Sequence, residues 1–263
     1  MTARMRLLLP PALALLALAP TVARADDPTG IPSAVSVSGS VGLATQYRFR
    51  GLSRSDGQPA AMADLDLSLA SGWYGGISAA SLQPGPAIDL GHGEIDVYGG
   101  WDHALGSGGT MLDLGLRGYF YADHARADLI ELSAALHRQI GPIDLRAGWA
   151  WAPPQGALRR ASDGSLRANT YLYAQTRLDW PGTPLHLHAH LGHTAGGLDY
   201  TGAYTDYRLG VGADHRALGL DLSLVGTTVS HAAAIATAPA GSDPAAIWRA
   251  ARSAGVVTLS LHF

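Results

Sequence analysis

The last ten residues constrain this chain more than any other stretch. Across residues 254–263, Gly255, Val257, Leu259, Leu261 and the terminal Phe263 fall on one face of a strand, with Thr258, Ser260 and His262 on the other. The same period of two recurs upstream. Val35, Val37, Val41 and Leu43 alternate with Ser36, Ser38, Ser40, Gly42 and Ala44, and the pattern carries on to Thr45 and Tyr47. Further runs span residues 64–69, 73–81, 94–101, 112–120, 130–137, 143–151, 171–180, 185–191, 207–211 and 218–224. With the two end runs this makes about twelve strands, so the chain is all-β.

At the other end, Arg4 and Arg6 precede an apolar run over residues 7–19, and Ala23-Arg24-Ala25 has the small-x-small pattern of a cleavage site. The run is too short to span a membrane as a helix. Residues 1–25 therefore read as a cleaved secretory signal peptide, residues 26–34 as a short N-terminal segment, and residues 35–263 as one β-domain. Loss of Arg4, Arg6 and Arg24 takes 18 basic residues to 15 against 21 acidic ones, moving the net charge from -3 to -6. An acidic chain of this kind argues against a nucleic-acid partner. Cysteine is absent, so no disulfide framework organises the fold.

No later stretch is apolar enough for a membrane helix, so a membrane could be crossed only by a closed sheet with every backbone group paired. The connections favour that solution. Longer ones at residues 50–58, 82–92, 122–127, 152–168, 194–205 and 231–252 alternate with short ones at 71–72, 105–109, 140–142, 181–183 and 215–217, where Gly and Pro supply most of the turn chemistry. The expected fold is a transmembrane antiparallel up-and-down β-barrel of about 12 strands, an even number as single-chain bacterial barrels require. Trp73, Trp101, Trp180 and Phe263 would form an aromatic girdle beside the short turns. Tyr47, Phe120, Trp149, Trp151 and Tyr207 would form one beside the long loops. The ending on Phe263 resembles the sorting signal of bacterial outer-membrane barrels. It implies a Gram-negative outer-membrane location, surrounding lipid and lipopolysaccharide, and recognition of the Phe263 strand by the barrel assembly machinery. Both termini then lie in the periplasm.

With the apolar face turned to lipid, the other face lines a lumen. Asp64, Asp66, Glu94, Asp96, Asp113, Glu131, Asp144 and Asp221 point inward, with Arg48, Arg117, Arg146, Arg177 and Arg208 among them. Charged walls in a low-dielectric tube select permeant ions by sign, and the excess of acid predicts weak cation preference. The function expected is passive diffusion of small hydrophilic solutes or ions. The competing expectation is a closed structural or adhesive barrel, its lumen plugged by paired charges.

The stretch over residues 46–60, Gln-Tyr-Arg-Phe-Arg-Gly-Leu-Ser-Arg-Ser-Asp-Gly-Gln-Pro-Ala, resembles the signature near the N-terminus of the TorF-type porin family. Gly72-Trp73-Tyr74-Gly75-Gly76 and Glu94-Ile95-Asp96-Val97-Tyr98-Gly99-Gly100 are similar to that family's next two blocks. The resemblance covers the first hundred residues and implies an outer-membrane channel; it brings no substrate and no catalytic residue. Read for its own chemistry, the segment puts Arg48 inward and Phe49 outward at the top of strand one. Arg50 and Arg54 enter a loop, and Asp56-Gly57 turns before Pro59. Arg50 and Arg54 either meet lipopolysaccharide phosphates, fold inward to narrow the mouth, or pair with loop aspartates.

His186, His188 and His190 share one strand face at spacings of roughly 7 Å. Three such imidazoles cannot all reach one ion, so the expectation is a polar lumen face with no metal or other cofactor, metal binding being the lesser alternative. Ser230-His231 and Asp123-His124 lie in long connections without a nucleophile elbow, so no catalytic residue is assigned and a lipid-modifying enzyme is the least favoured reading.

Overall fold

A computed structural model describes residues 34–160, 163–198, 202–237 and 243–263; the signal-peptide assignment and nearly all of the 26–34 segment lie outside these. Twelve strands close into one antiparallel barrel. In chain order they are β1 (Val35–Ala44), β4 (Ala60–Leu69), β5 (Trp73–Ser81), β6 (Gly93–Leu105), β7 (Thr110–Tyr121), β8 (Leu129–Ile140), β9 (Ile143–Ala152), β10 (Asn169–Asp179), β11 (Leu185–Gly196), β12 (Tyr204–His215), β13 (Leu218–Thr227) and β14 (Ala254–His262). Between β1 and β4 lies a miniature hairpin, β2 (Arg48–Phe49) and β3 (Leu52–Ser53). Two helices, α1 (His231–Thr237) and α2 (Pro244–Ala251), lie between β13 and β14.

Each strand pairs with its sequence neighbour, and β14 pairs with β1 to complete the ring. The seam runs from Ser40↔His262 to Ala44↔Thr258. Phe263 locks it, since Gly39 and Phe263 exchange both backbone hydrogen bonds at 3.0 Å. Gly39 is needed beneath the terminal ring, because a Cβ there would lie 2.8 Å from the Phe263 edge. Closure leaves no strand edge to pair with another chain.

The alternation predicted from sequence sorts residues between two solvents. Outward side chains form an apolar belt: Leu209 is 63% exposed, Val37 56% and Leu172 54%. That much contiguous apolar surface suits hydrocarbon rather than water. Trp73, paired across the strands with Trp101, and Trp180 stand at the short-turn end of the belt. Inward positions carry the charges, with Tyr and His rings laid across glycines of neighbouring strands. A Cβ on Gly76 would strike Tyr98, one on Gly148 would strike Tyr173, and one on Gly192 would strike Tyr171, all within 2.6 Å.

The structure corrects the top of strand one. β1 ends at Ala44 and the chain then turns into the barrel, so Tyr47 belongs to no outer girdle and Phe49 does not face lipid. The phenol of Tyr47 donates to Glu94 at 2.7 Å, and the Phe49 ring meets Tyr119 edge-on at 5.4 Å. Both aromatics found partners in the lumen that alternation along a single strand could not reveal. The Ala-rich connection after β13 is also more ordered than a loop. Asp243 caps α2 by accepting from the Ala245 N–H at 2.9 Å, with Pro244 at the first helical position.

Candidate functional site

The β2–β3 hairpin turns through Arg50-Gly51, both at positive φ (47° and 79°), the backbone that a two-residue type I′ turn demands. Gly51 is pressed against the barrel wall, where a Cβ would lie 2.6 Å from the Gly226 carbonyl and 2.8 Å from Asp206. The hairpin therefore enters the lumen with its turn against β12 and β13, while the Arg50 side chain reaches across to Glu131 of β8. Its base is pinned by backbone and side chains together: Arg54 N–H donates to the Tyr47 carbonyl at 2.9 Å, and Tyr47 N–H to Ser55 Oγ at 2.9 Å.

Arg50 and Arg54 point into the protein. Both are only 6% exposed, and each meets a buried glutamate of the wall: Arg50 with Glu131 of β8 at 2.7 Å, Arg54 with Glu94 of β6. The Arg50 guanidinium also lies 4.0 Å over the Tyr171 ring, and that of Arg54 lies 3.7 Å over Phe49. Of the fates open to these arginines, the structure takes the inward fold, and their burial withdraws them from lipopolysaccharide. The partners are the only two glutamates in the chain, not loop aspartates. Burial opposes charge on Arg50, but Glu131, Tyr119 and Tyr171 together raise its pKa above the ordinary arginine value. Arg48 sits on the hairpin and donates to the carbonyls of Gly51 (2.6 Å) and Arg252 (2.9 Å). Desolvation, with Arg252 nearby, lowers its pKa to about 10.

The register places the remaining lumen candidates on the inward face. Arg146 pairs with Asp113, and Arg117 with Asp96 at 3.2 Å. Asp144 faces His137 at 2.5 Å, and Arg177 bridges Asp179 and Asp214 at 2.7 and 2.9 Å. Asp64 and Asp66 accept from neutral groups, Ser40 and Tyr98. Arg208 stands opposite His190 and Val225. Two cavities flank the hairpin. One of about 390 Å³ is lined by Arg48, Arg177, His188, His190 and Arg208, and one of about 450 Å³ by Tyr74, Asp102, Asp113, Arg117 and Arg146. Arg50 and Tyr171 line both.

The long-loop end is covered by apolar side chains. Leu52 of the hairpin packs with Tyr204, Val229, Ala234 and Ala251, bringing Ile247 and Trp248 of α2 against it. A second cluster gathers Leu82, Tyr119, Tyr121, Leu129, Leu158 and Leu198 around Tyr47 and Phe49. Sequence reasoning missed these inward tyrosines, which it assigned to girdles or left unplaced. The signal available was the period of two itself, which puts Tyr119 and Tyr121 on the face opposite Phe120, with Arg117.

The three histidines separate. His186 and His188 tilt together with ring centroids 5.9 Å apart, while His190 turns to Tyr171 at 2.7 Å. Both sequence-adjacent pairs are engaged by other partners. Ser230 accepts from the Ala233 N–H at 3.0 Å, at the start of α1, and His231 packs edge-on to Trp248. Asp123 binds the backbone and ring of His92, and His124 lies 3.8 Å from Asp89.

Fold and site together define a porin-like transmembrane β-barrel with a polar lumen constricted from within. Among solved structures the fold matches the NanC porin at a TM-score of 0.57, with 8% identity, covering 87% of this chain and 99% of that one. The COG4313 outer membrane channel from Pseudomonas putida F1 aligns at 0.49 with 13% identity (88% and 96% covered). LpxR from Salmonella typhimurium aligns at 0.45 with 9% identity (86% and 99% covered). By sequence, the chain belongs to the Gcw_chp family, described as bacterial proteins of unknown function, whose profile matches residues 29–248. A search of curated proteins gives no match.

Proposed function

We propose that this protein is a narrow, non-catalytic outer-membrane porin, of the TorF type its hairpin sequence resembles, through which small hydrophilic solutes or ions diffuse passively. The observation that carries this reading is the β2–β3 hairpin, held in the lumen by Arg50–Glu131 with a polar cavity on either side. A barrel whose role was only structural would gain nothing from two solvent-sized cavities lined by charge. Polar walls replace part of a solute's hydration, and the hairpin sets the bore. Each cavity carries charge of both signs: Arg48, Arg208, Asp144 and Asp206 in one, Asp102, Asp113, Arg117 and Arg146 in the other. A permeant ion meets both signs along the lumen, with weak cation preference from the chain's excess of acid.

In this reading residues 1–25 direct export, the strand ending at Phe263 is recognised by the assembly machinery, and both termini face the periplasm. Lipid and lipopolysaccharide surround the apolar belt. The rival is a closed barrel, favoured by the apolar cover of Leu52, Tyr204, Val229 and Ala251 at the long-loop end. Single-channel recording of the folded barrel in a planar bilayer decides between them, with a heat-modifiability gel verifying folding. Discrete steps with a cation-favouring reversal potential in a salt gradient are expected. Folded, inserted protein that never conducts would replace the porin with the closed barrel.

A further inference from the structure

His186 and His188 of β11 reach across β12 to Asp221 of β13. The register explains how: His186 stands opposite Gly212, which stands opposite Asp221, while His188 stands opposite Gly210. Neither glycine has a side chain to block the imidazoles; a Cβ would fall 2.2 Å from His186 Nε2 at Gly212 and 2.4 Å from His188 Nε2 at Gly210. The two rings thus lie flat over the intervening strand. One ligating atom from each of His186, His188 and Asp221 falls within 4.8 Å of the others.

We propose that His186, His188 and Asp221 bind a divalent transition-metal ion on the lumen wall. Two imidazoles and a carboxylate are a donor set suited to Zn²⁺, Ni²⁺ or Cu²⁺ rather than to Mg²⁺ or Ca²⁺, which take oxygen. A second layer is already in place. Asp214 Oδ2 lies 3.3 Å from Nδ1 of His186, which leaves the other ring nitrogen to face the ion, and Arg177 holds that aspartate at 2.9 Å. Ser223 donates to Asp221, orienting its carboxylate. Nδ1 of His186 is buried with no hydrogen bond of good geometry, and the ring is only 7% exposed. Such a group awaits the ordering that ligation of its opposite nitrogen supplies. His188 Nε2 and Asp221 Oδ2 lie 2.5 Å apart, so two of the three ligating atoms already converge. His188 also lines the 390 Å³ cavity, so an ion has an approach from the lumen and an open position for water or a solute donor.

The test is Zn²⁺ binding to the untagged protein folded in detergent micelles, measured by equilibrium dialysis with elemental analysis. Heat-modifiable migration verifies folding of every variant. One Zn²⁺ per chain is expected, uncontested by Mg²⁺. His188→Ala and the isosteric Asp221→Asn each weaken it by more than about tenfold, and Asp214→Asn weakens it by about tenfold. His190→Ala leaves it unchanged, because His190 is engaged by Tyr171 and Asp206. Co²⁺ in place of Zn²⁺ gives a visible absorption band that folded Asp221→Asn lacks. The proposal fails if the wild type binds no Zn²⁺, or if folded Asp221→Asn binds as the wild type does. It also fails if His92→Ala, in the exposed loop cluster with Asp123, abolishes the binding instead.

Discussion

Arg50 Nη2 donates to both carboxylate oxygens of Glu131, at 2.8 and 2.7 Å, across 81 positions of sequence and from a hairpin that belongs to the other side of the barrel. The contact converts an external connection into an internal one. Both side chains are buried, and Tyr119 is a further donor to Glu131, at 3.1 Å.

Arg50→Ala leaves the Glu131 charge in the lumen without its cation. Removing one member of a buried pair costs about 3–5 kcal/mol. The expected outcome is a lower midpoint in urea unfolding together with larger single-channel conductance, because the hairpin loses its far anchor. Glu131→Gln should also raise conductance. A barrel whose conductance does not change in either variant would place the constriction elsewhere.

Gly51→Ala tests the turn itself. The position combines φ of 79° with neighbours inside van der Waals contact, so the methyl has neither a comfortable backbone nor space. A loss of about 1–3 kcal/mol is expected in urea melts. Gly57, at φ 72° but with nothing within 4 Å, is the control: its alanine variant meets backbone strain alone and should lose less.

The comparison with sequence separates what alternation encodes from what it cannot. Closure, strand number and the inward face were legible because each outward residue meets one solvent, hydrocarbon, whatever its neighbours are. The run from Val35 to Leu43 reads as a strand for that reason. The hairpin was not legible beyond its signature. Tyr47 and Phe49 keep the period of two past Ala44, yet they pack on Glu94 and Tyr119. Those partners depend on where the opposite wall lies, a tertiary fact absent from local pattern. Likewise the spacing of His186, His188 and His190 spoke against a shared ion, and only the glycines of β12 show that the first two can bend toward Asp221. α2 could have been read, since Asp243-Pro244 before an Ala-rich run is a helix start.

Leu222→Arg tests the lipid belt. Leu222 is 48% exposed and paired with Val257 on the outward face. An arginine near the bilayer midplane costs about 2–4 kcal/mol, less toward either interface. Folding yield into lipid vesicles should drop accordingly, while Ser223→Ala on the inward side stays close to wild type. Equal yields for both would overturn the assignment of faces on β13.

Between β5 and β6, the long connection is tied to its neighbour by Asp123, which accepts from the His92 N–H at 2.9 Å and faces the His92 ring at 3.1 Å. These bonds lower the Asp123 pKa below its ordinary value, the backbone bond contributing most. A depressed carboxylate pKa adds order that is present above the unfolded value, about 3.9, and lost as pH falls through the folded value. Amide exchange at His92 should therefore speed up only below about pH 4. In Asp123→Ala, which lacks any acceptor, it should be fast at neutral pH as well, and exchange insensitive to both changes would remove the tether.

The helical connection over β13–β14 poses the sharpest question about passage. Ala234 and Ala251 are fully buried against Leu52 and Tyr204, so the helices bear directly on the hairpin that enters the lumen. The strands, in contrast, do not need them: β13 and β14 pair through eight positions from Leu218↔Leu261 to Val225↔Ala254, and the seam to β1 is independent. Replacing residues 231–252 by a short Gly-Asn turn should leave a barrel that still migrates anomalously without heating. Its conductance should rise in two respects, a wider outer mouth and a hairpin with less to rest on. Combining the deletion with Arg50→Ala separates them. If helices and ion pair hold the same hairpin, the double variant gains less than the two single gains together. Full additivity would mean that the helices and Arg50 restrict the lumen at two independent levels.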